Sequence, residues 1–397
     1  MAKPTRISTA DMITRLTEMT NLEQSPGRCI ASRGRVVCAE CVRACPSSIP
    51  APQPDSLLDP ETAEKCTRCG ACVTACPTGA LEQSELAFLH RMRTIDAAPV
   101  DALRLRCSRC EGGSADVVIG CLRGIGTEML LRAVARGSRS VTLITATCSE
   151  CVNGVSGLDE PRDAACEADG MLQALGSPTR VTRETVPFVE CEAAGAHDRR
   201  AFLEAVRDGG ASVLRGMVRD ATDIEEPTAP DERGVGTASR SRRIAVNAIG
   251  TIAAGMDFRS EAPLPESGAG PLCHQGPEID RETCMACGDC ALFCPTGALR
   301  TTVREGEWRL SWSARRCVGC GVCIALCRTR SLSMRDRGLA GIVRPKRLVF
   351  YKGAVQECSK CGITFAAGGV HGAATAVPDE GLCGDCRRAA DRYPGFY

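Results

Sequence analysis

Apolar and polar positions divide the 397-residue chain into stretches of different texture. Residues 1–95 are predicted to open with a short amphipathic helix, Thr9 as its N-cap and Ile13, Leu16 and Met19 on one face, before the pattern breaks up in Cys-dense sequence. Between residues 100 and 220 strand and helix patterns alternate: DVVIGC, TEMLLRAVARG, SVTLITATC, a helix around AACEADGMLQAL, then TRVTRETVPF and a helix from His197. That order predicts a small parallel α/β domain with helical crossovers. Residues 221–271, polar after Arg219 and rich in Gly and Pro toward Pro271, read as linker. A second Cys-dense segment fills residues 272–345, and residues 346–397 form a tail with two CxxC pairs.

Composition sharpens this picture at one point. There are 28 Cys against 8 Phe, 3 Tyr and 2 Trp. Disulfide scaffolds are short and secreted, whereas this chain starts with polar, amphipathic sequence lacking the apolar core of a secretory signal. No stretch reaches the ~18 uninterrupted apolar residues of a membrane helix. Reduced thiolates in the cytoplasm, serving as metal ligands, are therefore expected. A net charge of +1, from 49 Lys plus Arg and 48 Asp plus Glu, provides no field for nucleic acid or an anionic membrane surface.

The strongest local signal is Cys66-x2-Cys69-x2-Cys72-x3-Cys76-Pro77, followed by Thr78-Gly79-Ala80-Leu81. A cubane needs four thiolates around a compact object, and three cysteines at x2 spacing wrap it in one turn of irregular backbone whose amides can face the sulfides. A zinc site is the alternative. The pattern recurs as Cys284, Cys287, Cys290 and Cys294 with Pro295, then Thr296-Gly297-Ala298-Leu299. Its partner is Cys317, Cys320, Cys323 and Cys327, with Arg328 where proline is expected; that exchange costs rigidity more than ligation. The N-terminal partner is looser: Cys38-x2-Cys41-x3-Cys45-Pro46, with the first ligand displaced to Cys29.

Over residues 27–86 and 277–334 these motifs resemble the bacterial two-cluster ferredoxins, whose signature is a pair of CxxCxxCxxxCP runs. The resemblance implies an α+β fold class: two dicluster ferredoxin-like modules, each of two pseudo-symmetric halves, flanking the small parallel α/β domain. It also implies crossed ligation, the fourth cysteine of each motif serving the other motif's cluster. Cys29, Cys38 and Cys41 would then share a 4Fe-4S cluster with Cys76, and Cys66, Cys69 and Cys72 with Cys45. In the second module Cys284, Cys287 and Cys290 would take Cys327, and Cys317, Cys320 and Cys323 would take Cys294. Four 4Fe-4S clusters result.

The tail carries Cys358-Ser-Lys-Cys361 and Cys383-Gly-Asp-Cys386, two knuckles close to zinc-ribbon spacing. Four thiolates without an open position make a structural site; zinc is expected ahead of a single iron or another cluster. In the central domain, Cys107-Ser-Arg-Cys110 is read as preceding the first strand, Cys121 as ending it, and Cys148-Ser-Glu-Cys151 as ending the next parallel strand. Ligands in open α/β sheets gather beyond the carboxyl ends of strands. A further metal or cluster site is therefore favoured there, over a dithiol redox pair or ordinary buried cysteines. Gly120, Gly124 and Gly126 do not make a nucleotide fingerprint. His274 is read as a surface residue.

No flavin, nicotinamide or molybdopterin fingerprint and no catalytic triad is present, so the favoured function is a non-catalytic electron-transfer subunit working with a redox partner protein or oxidoreductase complex. The alternatives are an enzyme whose central cysteines perform thiol, disulfide or sulfur chemistry fed by the clusters, and a redox-sensing regulator with the ribbon as its interaction head.

Overall fold

The computed structural model describes residues 22–33, 36–49, 65–83, 101–110, 114–148, 164–187, 238–256 and 269–366, with positions 88, 91, 92, 95, 96, 98, 151, 153, 264, 381–383, 386, 389 and 390. The helix expected near Ile13, the helix from His197 and residues 219–237 of the polar stretch lie outside these residues.

In the N-terminal segment, β1 (Leu22–Gln24) pairs antiparallel with β2 (Leu81–Gln83), with α1 (Glu40–Arg43) and α2 (Ala71–Ala75) between them in sequence. The pairing ties the start of the cysteine region to its end: Ser25 N–H donates to Ala80 O at 2.7 Å, and Arg28 bridges to Glu82 at 3.0 Å.

The central sheet is all parallel, in the order β4–β3–β5–β6, from β3 (Ala102–Cys107), β4 (Val117–Ile119), β5 (Ser140–Thr145) and β6 (Arg180–Thr185). Helices α3 (Thr127–Ala135) and α4 (Ala164–Ala174) precede β5 and β6, as a parallel sheet requires of its crossovers. One sequence reading is corrected here. Cys107 does not precede the first strand but ends it: in ALRLRC, Leu103 and Leu105 enter the core while Arg104 and Arg106, which alternate with them, are half-buried. The strand read as first, β4, is paired, among the described residues, only with β3.

Within the presumed linker, residues 240–254 form a 15-residue helix, α5 (Arg240–Ala254). Ser239 caps it, its Oγ accepting from Arg242 N–H at 3.2 Å. Positions 242, 245, 246, 249, 252 and 253 are buried at helical spacing, and each of Val246, Ile249 and Ile252 contributes on the order of 1.5–3 kcal/mol by leaving water. This stripe packs on α3 and on α8 (Ala340–Val343), so a single core runs from the central sheet through α5 into the C-terminal half.

There, β7 (Gln275–Ile279) pairs with β10 (Leu332–Asp336), echoing β1 with β2. Helices α6 (Asp289–Leu292) and α7 (Val322–Ala325) lie between them in sequence, as does the hairpin β8 (Leu299–Arg304)–β9 (Glu307–Ser313). The tail continues this hairpin sheet: β11 (Arg347–Glu357) pairs with β9 over its first part and with β12 (Thr364–Ala366) at its end. His274 is not at the surface. It is 5% exposed, and its Nδ1 lies 2.9 Å from Asp336 Oδ1 at the β7–β10 seam.

Candidate metal centres

The cysteine loops share one backbone device. Arg68, Ala286 and Gly319, each two residues past the first cysteine of its motif, have φ of 55°, 51° and 66°. Gly70, Gly288 and Gly321, each just past the second cysteine, have φ of 78°, 80° and 72° and start α2, α6 and α7. Three residues past the fourth cysteine, Ser48, Gly79, Gly297 and Arg330 all lie at φ between 52° and 61°. Left-handed turns aim successive N–H groups into a concavity that favours anions. Arginine, serine and alanine pay strain there, which the surrounding loop must hold.

Those N–H groups reach sulfur. Ala80 N–H donates to Cys76 Sγ at 3.2 Å and Ala286 N–H to Cys284 Sγ at 3.4 Å. Cys38, Cys66, Cys317 and Cys320 likewise accept from the backbone N–H two residues on, at Glu40, Arg68, Gly319 and Val322. A threonine two past the fourth cysteine stands at each of three motifs: Thr78 at 3.9 Å from Cys76, Thr296 at 3.8 Å from Cys294, Thr329 at 3.6 Å from Cys327.

Thiols of paired motifs stand near one another. Cys76 and Cys29 are the thiols outside their own CxxC pair that act electrostatically on Cys41, and both act on Cys38 as well. Cys45 acts on Cys66 and Cys72. Cys327 acts on Cys284 and Cys290, and Cys294 on Cys317, Cys320 and Cys323. Cys294, Cys317, Cys320 and Cys323 line one cavity, walled by Pro277, Trp312 and Met334.

Burial, followed by neighbouring thiols, pushes Cys41 up to about 11 and Cys72 up to about 12; burial does the same to Cys320, again to about 12. Cys290 and Cys323 are also driven well up. Such thiols keep their protons until a metal displaces them, so filling these sites releases protons. Fixed cations sit close by: Arg242, fully buried, donates to the carbonyls of Pro271, Ala314 and Arg315 and has Cys317 and Cys273 as charge neighbours, and Arg316 and Arg347 have Cys294 as theirs. Arg328, in the position of the missing proline, reaches Asp289 in α6 at 3.6 Å. Sequence reading missed the Arg242 and Arg328 contacts, because each depends on residues far along the chain.

The tail site is tighter. Cys358, Cys361, Cys383 and Cys386 bring their sulfurs within 4.8 Å of one another, Cys361 and Cys383 at 3.6 Å. Metal–sulfur bonds of about 2.3 Å in a tetrahedron give about 3.8 Å between sulfurs, so this set fits one ion. No other group of three or more His, Cys, Asp or Glu among the described residues is drawn so close.

The central cysteines gather at one end of the parallel sheet: Cys107 has Cys151 and Cys148 as charge neighbours, Cys110 has Cys107 and Cys148, and Cys121 has Cys69, Cys107 and Cys151.

Comparison with known families agrees with these loops. A 4Fe-4S binding domain matches residues 62–82, and a 4Fe-4S dicluster domain matches residues 276–328. No curated protein matches the chain. The first match covers Cys66 to Cys76, and the second takes in Cys284 to Cys327. The chain thus carries ferredoxin-type 4Fe-4S domains at two separate positions.

Proposed function

We propose that this chain is an electron carrier of a reduced, cytoplasmic setting, holding four 4Fe-4S clusters and passing electrons to or from a partner oxidoreductase. When bound, the clusters supply one-electron redox chemistry. The first two would be held by Cys29, Cys38, Cys41 and Cys76, and by Cys66, Cys69, Cys72 and Cys45. The other two would be held by Cys284, Cys287, Cys290 and Cys327, and by Cys317, Cys320, Cys323 and Cys294.

The observation that carries this reading is the cavity lined by Cys294 together with Cys317, Cys320 and Cys323, thiols from two different motifs facing one space. The chain's own groups then orient and tune: N–H donors to sulfur stabilise negative charge, Trp312 and Met334 limit water, and Arg242 adds a positive charge beside Cys317. The tail thiols Cys358, Cys361, Cys383 and Cys386 would hold zinc as a structural staple, available for a protein contact rather than nucleic acid.

The test is protein purified anaerobically, with iron, acid-labile sulfide and zinc measured and clusters followed by EPR. The reading expects about four irons per cubane, so at least about 16 iron and 16 sulfide, with one zinc. Cys76→Ser and Cys38→Ser should alter the same EPR signal, and Cys45→Ser and Cys69→Ser another. Iron near 8 would remove one of the two modules from the reading. Pairing of Cys76→Ser with Cys69→Ser instead would refute the crossing.

A further inference from the structure

The two modules leave the central cysteines unused. Three adjacent parallel strands deliver them to one edge of the sheet: Cys107 ends β3, Cys121 lies two residues past β4, and Cys148 three past β5. Of these and Cys151, the sulfurs of Cys107, Cys121 and Cys151 accept backbone hydrogen bonds as the module thiols do. Cys107 accepts from Arg109 N–H, Cys121 from Arg123 N–H, and Cys151 from Asn153 N–H at 3.4 Å, in each case the residue two positions on. Cys107 Sγ also lies 3.8 Å from the carbonyl oxygen of Gly120, while Cys110, 4% exposed, has its Sγ 3.6 Å from the carbonyl oxygen of Ile144 and is the more deeply enclosed of the two.

The site also abuts the N-terminal module. Cys69 stands first among the charge neighbours of Cys121. The loop that follows Cys121 lies against Cys69–Gly70 with no side chain between: a Cβ on Gly70 would fall 2.7 Å from Gly124 Cα, and one on Gly124 would fall 2.9 Å from Cys69 O. Thr74 Oγ1 donates to Arg123 O at 2.9 Å, and Arg91 donates to Gly124 O at 2.7 Å. The buried Arg123 side chain spans both sites, donating to Asn153 O at 2.5 Å and to Ala44 O at 3.5 Å.

We propose that Cys107, Cys121, Cys148 and Cys151 hold a fifth iron-sulfur cluster that exchanges electrons with the cluster of Cys66, Cys69, Cys72 and Cys45. The exchange partner, though not the fifth site itself, rests on the module reading given above. The step moves one electron, reducing one centre as the other is oxidised, and breaks no bond. The sheet end is then a point of electron entry or exit, and the Gly70–Gly124 approach is its junction.

The experiment uses the full chain, purified anaerobically, as wild type and as the Cys121→Ser, Cys148→Ser, Cys110→Ser and Cys69→Ser variants. Cys121→Ser and Cys148→Ser should each lower iron and sulfide together, by about two to four per chain, and remove the same EPR signal, while Cys110→Ser keeps both. Unchanged iron in Cys121→Ser and Cys148→Ser overturns the proposal, as does zinc in place of iron, or loss in Cys110→Ser without loss in Cys121→Ser. Cys69→Ser separates the two readings: if it leaves iron and signals intact the module assignment fails, whatever the central variants do. In wild type, which needs no altered residue, the Cys69 signal should relax faster when the central cluster is paramagnetic. Relaxation indifferent to the central cluster's state would refute the junction.

Discussion

Ser239 sits directly over Gly79: a Cβ on Gly79 would fall 2.2 Å from Ser239 Cβ. Gly79 belongs to the turn after Cys76, and Ser239 caps α5, so this approach seats the helix on the N-terminal cysteine loop. Arg240 N–H adds a bond to Glu82 at 2.7 Å, and two residues on Arg242 enters the C-terminal half. One helical turn therefore touches both Cys-rich segments.

Gly79→Ala should consequently be among the most damaging single-methyl changes in the chain. At φ of 60° alanine is strained, and the added carbon meets Ser239 with nowhere to go. A loss of about 2–4 kcal/mol is expected from strain and overpacking combined. Gly306→Ala, also at positive φ but facing open space, should cost only about 1 kcal/mol. Denaturant unfolding of the two variants makes the comparison; equal losses would show that the Ser239 contact carries no weight.

Arg242→Gln should act on stability and on redox behaviour. Burial lowers the guanidinium to about 10, which still leaves it charged at neutral pH. Removing it strands the Pro271 and Ala314 carbonyls, at about 2–4 kcal/mol. It also deletes the positive charge beside Cys317, so the cluster of Cys317, Cys320, Cys323 and Cys294 should become harder to reduce, while the N-terminal clusters keep their potentials. A redox titration followed by EPR distinguishes a selective negative shift from a uniform one, which would mean general loosening.

Glu128 supplies a pH dependence. It is buried in α3; burial raises its carboxyl above the ordinary 4.5, against hydrogen bonds from its own backbone N–H and from Ser241. The folded state thus holds the proton more tightly than the unfolded chain does. The resulting stability is full below about 4.5 and is lost as pH rises through the raised folded value. Glu128→Gln should leave stability at acid pH nearly unchanged and raise the melting temperature at neutral pH. A variant less stable at both would show that the ionised carboxylate has a partner worth more than its desolvation.

How much of this was legible in the sequence depended on distance along the chain. The cysteine loops read directly because ligand spacing, glycine position and turn lie within a dozen residues, as from Cys66 to Gly79. Helix α5 did not, because its first turn, Arg240 to Arg243, is polar and Arg242 is buried for its hydrogen bonds rather than its apolarity. Strand β3 was hidden by the Arg104 and Arg106 that alternate with its two core leucines. His274 was misplaced since only the β7–β10 pairing, which sets Gln275 opposite Asp336, reveals its partner. Gly124, dismissed with the failed nucleotide fingerprint, is small for a different reason: the backbone of Cys69 passes over it.

The tail should come apart separately from the rest. Its small core, Cys358, Phe365 and Cys383 with Leu382 and Cys386, is distinct from the main one, and the sulfurs are its centre. Cys383 N–H donates to Cys358 Sγ at 3.2 Å and, with further backbone donors, holds that thiol below its ordinary range, ready for a cation. Strand β11, by contrast, is anchored from Arg347 to Ala354 on β9, and Phe350 stacks on Trp312 with ring centroids 6.1 Å apart. Cys361→Ser should therefore release zinc and expose the Val355–Glu357 pairing with β12 to solvent exchange, while the amides that pair β11 with β9 stay protected. Iron content and the EPR signals of the clusters should not change. Hydrogen exchange alongside metal analysis reads both halves at once. Loss of protection along the whole of β11, or of iron with the zinc, would mean that the tail ion supports the second module and is not confined to the ribbon.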